Sequence, residues 1–137
     1  MDEKTQHIIY SELHAAIAEK GQIWVLEYLR KRSDADPFTT FLRSSTCAYF
    51  GVSLQEFLNT KKGIDARRVF ASLLRKRGYS FSKIQAATNK SRSIVNQYIV
   101  YIAEIEASER LSILFRNTKN ALAELEQKAE DYGKQRA

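Results

Sequence analysis

Residues 80–105 read SFSKIQAATNKSRSIVNQYIVYIAEI, and their punctuation decides the fold. Ser80 is a good N-cap for a helix of about two turns, FSKIQAAT. Asn89-Lys90 makes a tight turn. Ser91 then caps a longer helix, RSIVNQYIVYIAEI. Two helices joined by so short a turn, the second opening on a clean cap, predict a helix-turn-helix. Its inner face is expected to hold Ile84, Ala87, Val95, Ile99 and Ile102.

Working outward, Asp65 is the expected N-cap of the helix ARRVFASLLRKR at 66–77, with Gly78 ending it. Before it, Asn59-Thr60-Lys61-Lys62-Gly63 reads as a basic loop. Ser53 and Glu56 have the spacing of a capping box on the short helix SLQEFLN. A helix is predicted over about 38–50, ended by Gly51, and SDADP at 33–37 is a linker closed by the only proline. Apolar periodicity predicts two earlier helices, at 3–20 and 22–32, broken at Gly21. Residues 108–136 read as one long helix. Leu111, Phe115, Thr118, Leu122, Leu125, Ala129 and Tyr132 alternate spacings of four and three, a heptad seam that could pack on the N-terminal helices or pair with a second copy. The expected organisation is an N-terminal helical extension at 1–33, a helix-turn-helix domain at 38–107 and a long C-terminal helix at 108–137. The class is all-α, a helical bundle.

Composition narrows the function classes. The chain has 137 residues, 44% of them hydrophobic, with five Gly and one Pro, which suits a single helical domain with a real core. The single Cys47 cannot form an internal disulfide, which points to a reducing compartment, and its apolar neighbours predict a small buried residue. No stretch approaches the roughly 20 apolar residues that span a bilayer, and the acidic opening MDEKTQHIIY lacks the layout of a secretory signal. A cytoplasmic, nucleoid-associated protein without membrane contact is expected.

The net charge of +6 is unevenly placed. Residues 60–92 carry ten Lys/Arg against Asp65 alone, while residues 1–59 and 93–137 are slightly acidic. A basic block in an acidic frame is the footprint of polyanion binding. With Val95, Ile99 and Ile102 inward, Arg92, Ser93, Asn96 and Gln97 point outward on the longer helix. Arg can bind guanine, and Asn or Gln adenine, through paired hydrogen bonds, which makes these four the expected base-reading residues on double-stranded DNA. Lys61, Lys62, Arg67, Arg68, Lys90 and Ser91 are the expected contacts to the DNA backbone or minor groove. Arg75, Lys76 and Arg77 lie in a last helical turn, where cations are favoured whatever the ligand.

From Phe38 to Ala107 the chain resembles the C-terminal DNA-binding domain of the bacterial replication initiator DnaA. TCAYFGVSLQEFLNTKK is similar to the family's apolar helix, turn, short helix and basic loop. ARRVFASLL stands where the family has a helix opening on Pro-Arg-Gln, and YSFSKIQAATNKSRSIVNQYI where it has its Asp-His-Thr-Thr-Val signature. The resemblance implies a TrpR-like helix-turn-helix and duplex binding, with Lys61 and Lys62 as the minor-groove loop, Arg67 and Arg68 at the phosphate-contacting helix start, and Ser91, Arg92, Ser93 and Ile94 in the signature. Gln97 stands where a second His usually does. The reading residues themselves differ, so the initiator's own DNA box is not implied.

No G-x-x-x-x-G-K-[ST] loop occurs in the sequence, so the initiator's nucleotide-driven activity is not expected. Neither is another enzymatic one. His7 and His14 are two turns apart with no third ligand, and no nucleophile and base can be grouped, so no metal or cofactor is expected. The expected partner is double-stranded DNA, bound by a transcriptional regulator or an accessory replication protein, with the C-terminal helix as a candidate homodimer seam. The competing reading is a protein-interaction module that retains a DNA-binding framework.

Overall fold

The computed structural model describes residues 36–136, which are all-α, with no strand among them. The predicted helices at 3–20 and 22–32, the N-terminal extension at 1–33, and His7 and His14 lie outside the described residues. Seven helices follow in order: α1 (Pro37–Phe50), α2 (Leu54–Asn59), α3 (Ile64–Lys76), α4 (Phe81–Thr88), α5 (Arg92–Ala107), α6 (Glu109–Leu114) and α7 (Arg116–Arg136). A single 3-10 turn, Lys61–Gly63, leads into α3.

Short-range hydrogen bonds explain most of the boundaries. Pro37 at the first helical position and Asp36 at the N-cap start α1, and the Asp36 carboxylate accepts from the Thr39 N–H at 2.8 Å. Gly51 ends α1 with φ 65°, a left-handed conformation that glycine adopts without penalty. Both bonds of the Ser53–Glu56 capping box form, at 3.1 and 2.9 Å. Ser80 and Ser91 cap α4 and α5, and Asn89 between them is the one non-glycine residue with positive φ among the described residues. One expected cap is corrected. Asp65 does not begin α3, because the 3-10 turn runs straight into the helix and Ile64 already donates to the Lys61 carbonyl. Asp65 instead lies in the first turn, where a carboxylate suits the helix dipole.

α3 is the central element. Ala66, Val69, Phe70, Ala71, Leu73 and Leu74 are all buried and point in several directions, as in a helix enclosed by others. It packs against α1, α4, α5 and α7. Phe70 meets the Phe57 ring edge to face at 5.4 Å, and burial of each such ring contributes about 1.5–3 kcal/mol. Leu42, Ile84, Val95, Ile102, Ile105 and Leu125 complete the interior, and Cys47 is buried. The inner face of α4 and α5 holds Ile84, Ala87, Val95 and Ile102 as expected, but Tyr98 at 6% exposure is more deeply placed than the half-buried Ile99.

The expected single helix over 108–136 is two. Phe115, with φ −107° and ψ 49°, separates α6 from α7. Its ring meets Tyr101 of α5, and the Ser112 hydroxyl donates to the Ile105 carbonyl at 2.7 Å, so contacts to α5 turn the chain. A four-and-three spacing cannot register a one-residue break. The heptad seam is also occupied. Thr118, Leu122, Leu125 and Ala129 are buried as α7 packs on α1 and α3, and Tyr132 stacks on Phe41 at 4.5 Å. The C-terminal segment therefore closes the core of the same body, and the face expected for pairing with a second copy is filled from within.

Asp36 also accepts from the Tyr79 hydroxyl at 3.2 Å, which ties the start of α1 to the turn before α4. Burial alone would raise its pKa. The bonds from Thr39 and Tyr79 and the charge of Lys83 outweigh burial and hold it below the usual carboxylate range. Replacing Asp36 with Ala is expected to lower stability by about 1 kcal/mol near neutral pH. Because the folded-state pKa is the lower one, that increment is present above the ordinary carboxylate range and fades as pH falls through the depressed value. Thermal melts of both proteins from pH 7 to pH 2 check this; a gap that widens toward acid would contradict it.

Candidate nucleic-acid interface

α5 presents a polar stripe to solvent. Ser93, Asn96, Gln97 and Val100 are exposed at helical spacings of three and four, with Val95, Tyr98, Ile102 and Ile105 on the opposite side. The Ser91 hydroxyl accepts the Ile94 N–H at 3.3 Å and sets where this face begins. The C-terminal helix packs on α1 and α3 and leaves this face exposed. Side chains of this kind, short, amide-bearing and held on a regular helix, offer paired donors and acceptors at fixed spacing.

Arg67, expected at a phosphate, is turned inward. It is 5% exposed, and its guanidinium donates from Nε to the Tyr98 hydroxyl at 2.9 Å and from Nη1 to the Phe57 and Thr60 carbonyls at 2.6 and 2.8 Å. The Thr60 carbonyl also accepts from the Gly63 N–H at 3.2 Å, and the arginine ties it and the buried Phe57 carbonyl to Tyr98 of α5, so the side chain is a structural tie. It anchors the residue before Lys61 to the back of α5, and thus sets the basic turn relative to the polar stripe. Arg68 is also engaged with α5. Its guanidinium lies 3.8 Å from the Tyr101 ring centroid and donates to Asp65 at 3.3 Å. Arg67 on Tyr98 and Arg68 on Tyr101 form two adjacent rungs between α3 and α5.

Lys61 and Lys62 are exposed on their turn, as expected. Lys62 pairs with Glu56 at 3.0 Å, with 64% of the lysine side chain open to solvent. The Ser53 N–H and Lys62 hold the Glu56 carboxyl below its usual pKa, so it stays anionic at neutral pH. Lys90 is half-buried in the turn between α4 and α5, and desolvation, then the nearby charge of Arg67, lowers its pKa. Glu56→Gln keeps an N3 residue able to complete the capping box while removing the charge opposite Lys62. If this turn meets phosphates, affinity for random duplex rises several-fold at low salt and the gain vanishes at high salt. Unchanged affinity would remove Lys62 from the interface.

Arg92 is exposed but not free-standing. Its guanidinium lies 4.6 Å from the centroid of the Phe81 ring, at the start of α4. Arg75, from the end of α3, reaches the same ring at 4.6 Å and donates to the Tyr79 carbonyl at 3.0 Å. Sequence reasoning assigned Arg75 to the helix dipole and gave Phe81 no role. The available signal was a Phe at the first position of a helix, where an apolar ring has little core to fill. The neighbouring cations are used differently, with Lys76 paired to Glu106 at 2.7 Å and Arg77 over Phe38.

No group of three or more His, Cys, Asp or Glu side chains able to hold a metal occurs among the described residues, and no described helix is long and apolar enough to cross a membrane. No protein-family model matches the chain, and neither a curated protein nor a solved structure matches it.

Proposed function

We propose that this protein binds double-stranded DNA, with α4 and α5 as a helix-turn-helix of the TrpR-like kind and α5 as the helix that enters the major groove. The observation that carries this reading is the exposed stripe of Ser93, Asn96 and Gln97 on α5, in a helix that Arg67 ties to the residue before the exposed Lys61 and Lys62. Phosphate contacts from such lysines fix register and raise affinity without reading sequence, while the amide side chains discriminate between bases. The resemblance of residues 38–107 to the DnaA C-terminal domain supports the same reading. A role as a transcriptional regulator or an accessory replication protein in the bacterial cytoplasm is the biological form it takes.

Selection from randomised duplex at stated salt, followed by binding of the recovered and a random duplex, tests the proposal. The folded protein is expected to retain both at low ionic strength and to prefer the recovered one. Asn96→Ala and Gln97→Ala should each relax the preference by about 1–3 kcal/mol at the base they read. Lys61→Ala should weaken both duplexes alike, flattening the dependence of log affinity on log salt by about 0.9 for one lost phosphate contact. Failure of verifiably folded protein to retain any duplex at low salt would end the reading. One observation favours a protein-interaction role instead, the exposure of Ile113 and Leu114 on α6, at 61% and 68%. Binding of a partner lost on Leu114→Ser, in protein that ignores duplex, would establish it.

A further inference from the structure

Two guanidinium groups share one aromatic ring. Arg75 and Arg92 come from different helices, and each lies 4.6 Å from the centroid of Phe81, so their central carbons are separated by at most twice that distance. Both side chains are exposed, and neither is paired with a carboxylate among the described residues. Like charges brought this close repel, and the negative face of a ring offsets that only in part. An arginine stacked on a ring also has its N–H donors directed outward in the guanidinium plane, the geometry that engages phosphate oxygens in pairs. Among the described residues the arrangement lacks an anion. Half-buried Phe81 is a fixed base for it, held at the first position of α4 by the Ser80 cap.

We propose that Arg75 and Arg92, braced on Phe81, together grip one backbone phosphate of the duplex, so that Arg92 sets register and the reading of bases falls to Ser93, Asn96 and Gln97. The inference rests on the DNA-binding reading above and gives it a specific phosphate seat. In helix-turn-helix docking the first helix crosses the DNA backbone while the second enters the groove. Phe81 belongs to that first helix, and its ring draws Arg92 back from the polar stripe of α5 toward it. Phe81 is then a positioning residue, acting through the two arginines.

Binding of a random-sequence duplex and of the selected duplex, each across a salt series, tests this with full-length variants whose melting is measured alongside. Arg75→Ala and Arg92→Ala are each expected to weaken both duplexes several-fold and equally, leaving the preference ratio intact. The double variant should flatten the salt dependence by about 0.9, the loss of a single phosphate contact rather than two. Phe81→Leu should reproduce the single-variant loss with both arginines present, and Phe81→Tyr, which restores a ring, should bind as the unaltered protein does. A changed base preference in Arg92→Ala, or unaltered binding by Phe81→Leu, overturns the seat while leaving DNA binding in place. Unaltered protein that ignores both duplexes overturns the DNA reading and the seat with it.

Discussion

Arg67→Ala is expected to lower the stability of the folded chain by about 3–5 kcal/mol, which for a body of this size moves the melting midpoint down by roughly 15 °C or more. The guanidinium is 5% exposed and satisfies the Phe57 and Thr60 carbonyls and the Tyr98 hydroxyl. Truncation leaves the Phe57 carbonyl and the Tyr98 hydroxyl buried without this donor and a cavity where the side-chain stem lay, while the Thr60 carbonyl keeps the Gly63 N–H. Lysine is no substitute, because one ammonium cannot occupy the positions of two guanidinium nitrogens that point to different helices. Thermal unfolding followed by circular dichroism gives the number. A phosphate-contacting surface arginine would show the reverse pattern, with melting unchanged and duplex affinity reduced, which is what Lys61→Ala is expected to show. Arg67→Ala melting with the unaltered protein would mean that the buried tie is not what holds α2, the basic turn and α5 together.

Gly63→Ala is the second large effect, expected at about 3 kcal/mol of lost stability. Gly63 is buried where the 3-10 turn passes α2. A Cβ there would stand 2.6 Å from the Phe57 Cα and press on the Glu56 carbonyl oxygen. Both are backbone atoms, so no rotamer change relieves the contact and one segment must move off the other. The segment displaced carries Lys61 and Lys62, so weakened duplex binding is expected even well below the melting temperature. Gly51→Ala is a useful contrast. Nothing lies within 4 Å of a Cβ at that position, and its penalty comes only from the left-handed backbone, φ 65°. Equal melting of Gly63→Ala and Gly51→Ala would refute the close approach.

The local grammar of this chain was legible without coordinates. Gly51, the Ser53–Glu56 box, Gly78, Ser80, Asn89 and Ser91 all act through bonds or backbone angles within four residues, and the energies involved do not depend on what lies across the fold. Apolar periodicity likewise placed Ile84, Val95 and Ile102 inward and Asn96 and Gln97 outward.

What periodicity could not decide was the fate of amphipathic side chains and the partner of an apolar stripe. An arginine carries a long apolar stem and a polar head, so Arg67 and Arg68 suit a phosphate or a buried tyrosine equally well until α5 is laid across α3. Asp65 lost its cap because a 3-10 turn ahead of it supplied the first bond. The heptad seam of α7 marked a buried face, but only packing onto α1 and α3 showed that the burial is intramolecular. Arg92 reads as a base contact from its place on a helix and as a braced side chain once Phe81 lies beside it. In each case short-range bonding set the elements, and contacts between residues distant in sequence assigned the ambiguous side chains, because their alternatives differ only in the surroundings that the assembled fold provides.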